Sequence, residues 1–294
     1  MRRRRAISFL VSAVLVAGGC RSHRAERIVI GSKFFTEQVV LAELLAQHIE
    51  ARTGLRVERR SNLGSSLICQ QALRAGDLDL YVEYTGTALT AILGETPGGD
   101  SAAVYQRVKQ AYAQRFHLEL TEPLGFENTF AMVIRGEDAR RQRLRTISDI
   151  VPLAPRWRAG VGYEFLERPD GFRGWAERYG LRFAAAPRVM DLGLIYRALA
   201  EKQVDIVAGN STDGLIEALG LVALEDDRHY FPPYHAVPIV RHDTLEKFPQ
   251  LRAALADLAG KITAADMRRL NYAVDGEHRE VAAVVRAFRL AKGL

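Results

Sequence analysis

DLYVEYTGTAL, residues 79–89, reads as a strand that ends without a hairpin turn. Leu78, Leu80, Val82 and Tyr84 alternate with Asp79, Tyr81 and Glu83, the period of two that sends successive side chains to opposite faces of a sheet. The strand breaks at Tyr84-Thr85-Gly86-Thr87 and runs on into apolar sequence of helical character. Upstream, RIVIGS (27–32) predicts a buried strand. In the next segment Val39, Val40, Leu44, Leu45 and Ile49 recur at helical spacing, with Gly54 after the end. Thr36 is the expected N-cap of that helix, and Glu37 suits its positive end. LRVERR (55–60) supplies a second strand and SSLICQQALRAG (65–76) a second helix. Strand, helix, strand, helix, strand with no hairpin signal predicts a mainly parallel α/β sheet.

The pattern returns further along. A helix over 102–116 precedes strands at NTFAMVI (128–134), WRAGVGY (157–163), LRFAAAP (181–187) and VDIVAG (204–209). Helices are expected at FRGWAERYG (172–180), MDLGLIYRALAEKQ (190–203) and, capped by its first residues, STDGLIEALG (211–220). After the turn FPPY (231–234) and HAVPIV (235–240), three helical segments close the chain. Two α/β runs of similar texture followed by a helical return predict two lobes joined by two crossovers. The expected division is 27–126 with 228–294 for lobe I and 127–227 for lobe II.

The first nineteen residues belong to a different category. Arg2 to Arg5 form a positive stretch, Ala6 to Val16 an apolar one, and Ala17-Gly18-Gly19-Cys20 a small-residue site. That is the layout of a secretory signal, too short for a permanent membrane span. A cysteine directly after two glycines resembles the bacterial lipobox, which makes Cys20 the expected lipidation site and 20–26 a tether. The leader holds four arginines and no acids, so the net charge of +6 falls to +2 without it. The remaining basic residues are scattered among acids, which excludes a nucleic-acid interface as a reading. With Cys20 lipidated, Cys69 is the one thiol left and no intramolecular disulfide can form. Cys69 lies among apolar residues and is expected to be a small buried hydrophobe.

No HExxH, CxxC pair, GxSxG, P-loop or GxGxxG motif occurs. The seven histidines are dispersed, and His229 and His235 sit in a loop-like stretch that makes a poor metal site. No cofactor, metal or catalytic residue is expected. What remains is a set of polar and aromatic loops where strands end, the position at which open α/β sheets bind ligands. They are Gly31-Ser32-Lys33-Phe34, Asn62-Leu63-Gly64-Ser65-Ser66, Tyr84-Thr85-Gly86-Thr87 and Asn210-Ser211-Thr212-Asp213-Gly214. Four such loops across both halves predict a cleft, and the helix after Ser65 offers free N–H groups for a carboxylate.

GSKFFTEQVVLAELLAQ, GDLDLYVEYTGTAL, GFENTFAM, YEFLERPDGF, STDGLI, DDRHYFPPYHAVPIV and LNYAVDG occur in that order. Together they resemble the substrate-binding proteins of osmoprotectant ABC importers, over nearly all of residues 28–280. The resemblance implies a type II periplasmic-binding-protein fold, lipid anchoring outside the cytoplasmic membrane and docking on a permease driven by a separate ATPase. It implies a ligand of the glycine betaine, carnitine and choline class, captured by a monomer. It also implies that Tyr84, Phe130 and Tyr234 form walls around a quaternary ammonium, with Thr87 beside Tyr84 as a ligand-tuning position; Ser65, Ser211 and Thr212, from the polar loops, are the further ligand-binding candidates. Such a cation donates no hydrogen bond and is held over aromatic faces, each contributing about 0.5–2 kcal/mol.

Two positions depart from the family pattern. Asn210 stands where relatives with a full cage carry an aromatic residue, and Lys33 where some carry an uncharged amide. An ammonium about 6 Å from the ligand cation would repel it by roughly 1–3 kcal/mol while attracting a carboxylate. Zwitterions are therefore expected over choline. The alternative is an exported, lyase-like enzyme on the same scaffold, for which Glu83 and Lys33 are the one acid/base pair on offer.

Overall fold

The structure, a computed structural model, describes residues 27–96 and 100–294. The expected leader, Cys20 and the whole of the tether fall outside them. The first half runs β1 (Arg27–Gly31), α1 (Thr36–Thr53), β2 (Arg56–Arg60), α2 (Ser66–Ala75) and β3 (Leu80–Tyr84). It continues with a short turn α3 (Thr85–Thr87), α4 (Ser101–Phe116) and β4 (Leu118–Leu120). The second half runs β5 (Phe130–Arg135), α5 (Gly136–Gln142), β6 (Ala159–Val161), α6 (Tyr163–Glu167), α7 (Phe172–Tyr179) and β7 (Arg188–Val189). Then come α8 (Leu192–Ala200), β8 (Ile206–Asn210), α9 (Leu215–Ala218) and β9 (Leu221–Leu224). The chain returns through β10 (Ala236–Arg241), α10 (His242–Lys247), α11 (Gln250–Ala256), α12 (Ala264–Asp275) and α13 (Val281–Lys292).

Two five-stranded sheets result, in the orders β2-β1-β3-β10-β4 and β7-β6-β8-β5-β9. The alternation read in residues 78–84 works as expected, because both faces of β3 are covered. Leu80, Val82 and Tyr84 join the cluster that contains Val40, Leu41 and Leu44 of α1. Tyr81 faces the opposite cluster with Cys69 and Leu73 of α2 and Val104 and Val108 of α4. The returning helices add Leu251, Leu255, Met267, Leu270 and Val285 around α1, and eleven of its eighteen residues are buried.

Each sheet is mixed rather than mainly parallel. β10 lies antiparallel between β3 and β4, and β5 antiparallel between β8 and β9. The reason lies in the crossovers. β5 and β10 are the strands that follow the two passages between sheets, so they start where β3 and β8 end. Ala236 pairs with Tyr84 and Phe130 with Asn210. The two passages run side by side: Asn128 N–H donates to the Tyr234 carbonyl at 3.1 Å and Ala236 N–H to the Phe126 carbonyl at 3.1 Å. One edge of the cleft is thereby built by two chain segments a hundred residues apart.

Three local expectations change. The N-cap of α1 is Phe35, without a side-chain cap, while the Thr36 hydroxyl donates to Asp275 Oδ1 at 2.6 Å. LRFAAAP forms no strand, and the pairing with β6 on that side comes from the next residues, Arg188–Val189. Phe183 instead packs on Phe172 and Trp175, with ring centroids at 5.7 and 5.8 Å, so side chains anchor that segment. The helix after Asn210 starts at Leu215 and is one turn long, because the hydroxyls of Ser211 and Thr212 are used elsewhere.

Candidate functional site

The C-terminal ends of β1, β3, β6 and β8 and the starts of β5 and β10 converge on one cavity of about 370 Å³. Seven aromatic rings line it: Phe34, Phe35, Tyr84, Phe130, Tyr163, Phe165 and Tyr234. Lys33, Thr87, Asn128, Glu164, Arg168, Asp191 and Asn210 bring the polar atoms. Of the residues expected from sequence, Lys33, Tyr84, Thr87, Phe130, Asn210 and Tyr234 therefore meet in one place, while Ser65, Ser211 and Thr212 do not line it.

Those three have other roles. Ser65 is the extended residue before α2, and its side chain caps nothing. The Ser211 Oγ accepts from the Thr129 N–H at 3.1 Å, tying the loop after β8 to the crossover. The Thr212 hydroxyl donates to Glu37. Glu37 is the residue the sequence undervalued. Its buried carboxylate also accepts from the Tyr84 hydroxyl at 2.5 Å, from Asn128 Nδ2 at 2.8 Å and from Asn271 Nδ2 at 3.0 Å. Burial raises its pKa against these four donors. Far more than a helix-end charge, it clasps α1, β3, the crossover, the loop after β8 and α12.

Lys33 is buried, and its Nζ lies 2.5 Å from Glu83 Oε1. The same ammonium sits 4.6 Å from the Tyr84 ring centroid and 5.6 Å from that of Phe35. Its charge is therefore matched from behind, and the expected repulsion of a ligand cation is correspondingly weaker. Glu83 also accepts from the Tyr84 N–H at 2.8 Å and the Tyr81 hydroxyl at 3.2 Å. As an acid/base pair these two would face each other inside the sheet, and only Lys33 of the two lines the cavity.

The largest surprise is Arg168. It follows α6 and reaches across the cleft to donate to Thr87 Oγ1 at 2.9 Å. It grips Asp170 with two hydrogen bonds, Nε to Oδ1 at 2.8 Å and Nη2 to Oδ2 at 2.6 Å. Burial opposes both charges, yet each holds the other ionised: Arg168 is shifted up and Asp170 down. The Tyr234 hydroxyl donates to the same Asp170 Oδ2. The guanidinium lies 5.0 Å from the Phe130 centroid and 5.9 Å from that of Tyr234. Each of the three rings expected to hold a ligand cation thus has a protein cation over it, stacking that fixes its orientation.

The Phe130 ring is both wall and core: it packs on Phe165, Phe231 and Tyr234 with centroids 4.7–5.8 Å away and remains half-buried at the cavity. Tyr84 and Tyr234 are almost wholly covered, at 4% and 1% exposure. The N-terminus of α2 does hold a carboxylate, and it is the protein's own: the Ser66 N–H donates to Glu164 Oε1 at 3.0 Å. This bond, Arg168 to Thr87, and Thr212 to Glu37 all join residues of one sheet's surroundings to the other's, so three hydrogen bonds bridge the cleft. Arg168, Glu164 and Glu37 were missed because their partners lie 81, 98 and 175 residues away. The one sequence signal was Arg168-Pro169-Asp170, an Arg and Asp two apart around a proline, within a segment already singled out.

Among the described residues no group of His, Cys, Asp and Glu could hold a metal ion, and no helix is long and apolar enough to cross a membrane.

A family model described as the substrate binding domain of ABC-type glycine betaine transport systems matches residues 26–290. A carnitine transport binding protein of Listeria monocytogenes is 36% identical over 265 residues, covering 90% of this chain and 86% of that protein. A glycine-betaine-binding protein of Pseudomonas aeruginosa is 35% identical over 280 residues, 92% of this chain and 88% of the relative. Among solved structures, one of a glycine betaine/carnitine/choline ABC transporter protein superposes with a TM-score of 0.77 at 34% identity, covering 90% of this chain and 98% of the other.

Proposed function

The chain belongs to the family of substrate-binding domains of ABC-type glycine betaine transport systems, and from that premise we propose that its cleft captures a zwitterionic quaternary amine. The family works outside the cytoplasm with an ABC permease, and its members are transport proteins rather than enzymes. The observation that carries the zwitterion is the pairing of chemistries in one cavity: seven aromatic rings beside Arg168, Thr87 and Lys33.

The ammonium end is held among the lining rings, against the parts of Phe130, Tyr84 and Tyr234 that Arg168 and Lys33 leave facing the cavity, since no hydrogen bond can hold such a cation. The carboxylate end meets the Arg168 hydrogens that Asp170 and Thr87 leave free and the Thr87 hydroxyl, which accepts from Arg168 and keeps its own hydrogen to donate. Asp170 keeps Arg168 in place, and Glu37 keeps Tyr84 and Thr212 in place. Closing the lobes expels water from both ends of the ligand and strengthens every charge interaction inside. The closed form then docks on the permease. The lobes divide as 27–126 with 228–294 and 127–227, and the protein works as a monomer tethered through lipid at Cys20.

Calorimetric titration of the mature domain tests the reading. Glycine betaine or carnitine is expected to bind with one-to-one stoichiometry and more tightly than choline, which lacks the carboxylate. Arg168→Met with Asp170→Asn, which leaves no stranded charge, is expected to weaken the zwitterion by roughly tenfold or more, from the loss of about 1.5–3 kcal/mol of charge-assisted hydrogen bonding, and choline much less. No heat with any quaternary amine, or choline binding more tightly, would refute it.

A further inference from the structure

Two kinds of contact bridge the cleft. Arg168 to Thr87 and Glu164 to the Ser66 N–H use side chains that line the aromatic cavity, so a ligand there acts on them directly. The other kind is made by the loop after β8, and none of Ser211, Thr212 and Gly214 lines that cavity. Thr212 is fully buried. Its hydroxyl donates to Glu37 of α1, and its carbonyl accepts from Asn271 Nδ2 of α12 at 3.0 Å. The same Nδ2 donates to Glu37 Oε2 at 3.0 Å, which closes a ring of hydrogen bonds among the loop, α1 and α12. Two residues on, Gly214 lies so close to α12 that a Cβ would stand 2.5 Å from the Tyr272 Cβ and 2.6 Å from the Arg268 carbonyl oxygen. Its φ of −68° suits any residue, so the approach of α12 is what requires a glycine there. On its own side the loop is fixed. The Ser211 N–H donates to the Thr129 carbonyl at 3.0 Å, and Asp213 Oδ2 accepts from Tyr196 and, at 3.2 Å, from the Asn210 N–H.

We infer that this seat of the loop on α1 and α12 is a ligand-independent latch, and that Thr212 and Gly214 are positioning residues that set how readily the lobes close. The inference rests on the binding-by-closure reading above and deepens it. A contact that no ligand touches forms alike in the empty and the filled closed protein, so it biases the closing equilibrium and nothing else. Affinity is divided by the fraction of protein able to close on the ligand. Loosening the latch therefore weakens every ligand by one common factor, whereas changes at Arg168 or Thr87 alter the preference among ligands. Selectivity and overall affinity are set by different residues.

Three variants test this: Thr212→Val, which removes the hydroxyl at nearly constant shape, Thr212→Ser, which keeps it, and Gly214→Ala, which wedges the seat. Small-angle X-ray scattering reads closure of the empty mature domain, and calorimetry reads its affinity for glycine betaine, carnitine and choline. Losing a hydrogen bond to a buried carboxylate costs about tenfold in the closing equilibrium. For a protein evenly divided between open and closed forms, the closed fraction then falls from about one half to about one tenth. Thr212→Val and Gly214→Ala are thus expected to enlarge the radius of gyration of the empty protein and to weaken all three ligands alike, by about fivefold. Thr212→Ser is expected to behave as the parent. Val and Ala act by different means, so either carries the test if the other does not fold. An unchanged radius of gyration in the empty variants overturns the inference, because the seat would then persist in the open form. A changed ratio of glycine betaine to choline affinity also overturns it, because these residues would then act on the ligand. Should no quaternary amine bind the parent, the function proposed above falls, and scattering from the empty protein decides the latch by itself.

Discussion

Removing the Lys33 ammonium tests whether that residue belongs to the ligand or to the sheet. Lys33 and Glu83 lie 2.5 Å apart with 2% and 0% of their side chains exposed. At an effective dielectric constant of 20, their mutual attraction is about 7 kcal/mol in gross terms, most of it offset by the desolvation of both charges. Lys33→Met leaves Glu83 buried with only the Tyr84 N–H and the Tyr81 hydroxyl as donors. Stranding one partner of a buried pair costs about 3–5 kcal/mol, so the melting temperature should fall by on the order of 10 °C. Lys33→Met with Glu83→Gln removes both charges, and the double variant is expected to recover most of that loss. Urea unfolding of the parent, both single variants and the double closes the cycle. The single variant also leaves an unmatched carboxylate behind Tyr84, so its preference should shift toward choline. Equal stability of the single and double variants would show that Glu83 carries no stranded charge, and the reasoning would fail.

Three further outcomes are expected. A Cβ at Gly86 would lie 2.6 Å from the Tyr234 ring and 2.8 Å from the Pro233 carbonyl; Gly86→Ala should cost about 1–3 kcal/mol by overpacking and weaken ligand binding through the displaced ring, as calorimetry and melting curves would report. Burial raises the Asp213 carboxyl to about 7, above its ordinary value. The folded state therefore holds that proton longer than the unfolded chain, so the stability that this carboxyl contributes is fully present below about pH 4 and falls as pH rises through 7. Glu37 and Asp275 shift in the same direction, so Asp213→Asn should reduce this fall without abolishing it, measured as melting temperature from pH 5 to 8. Burial pushes the Cys69 thiol up to about 12, and the native domain should not react with a thiol reagent at pH 8 until it is unfolded.

The sequence, with the resemblance it carries, determined the fold class and named three of the seven rings that line the cavity, Tyr84, Phe130 and Tyr234. Alternation at 78–84 and helical spacing at 39–49 are local signals, set by which faces of each element must leave water. The ordered loops Gly31–Phe34, Tyr84–Thr87 and Asn210–Gly214 follow from those elements, since ligands gather where parallel strands end. Only tertiary structure decided which charges meet. Lys33 has Glu83 behind it, Arg168 has Thr87 before it, and Glu37 collects four donors from as many segments. These pairings span dozens to hundreds of residues and leave no periodicity, because a buried charge needs a partner in space and not in sequence. The same holds for the direction of β5 and β10. Their sequences say strand, but only the two crossovers, lying side by side, make them run against their neighbours and bring Phe130 and Tyr234 to the cavity that Tyr84 opens.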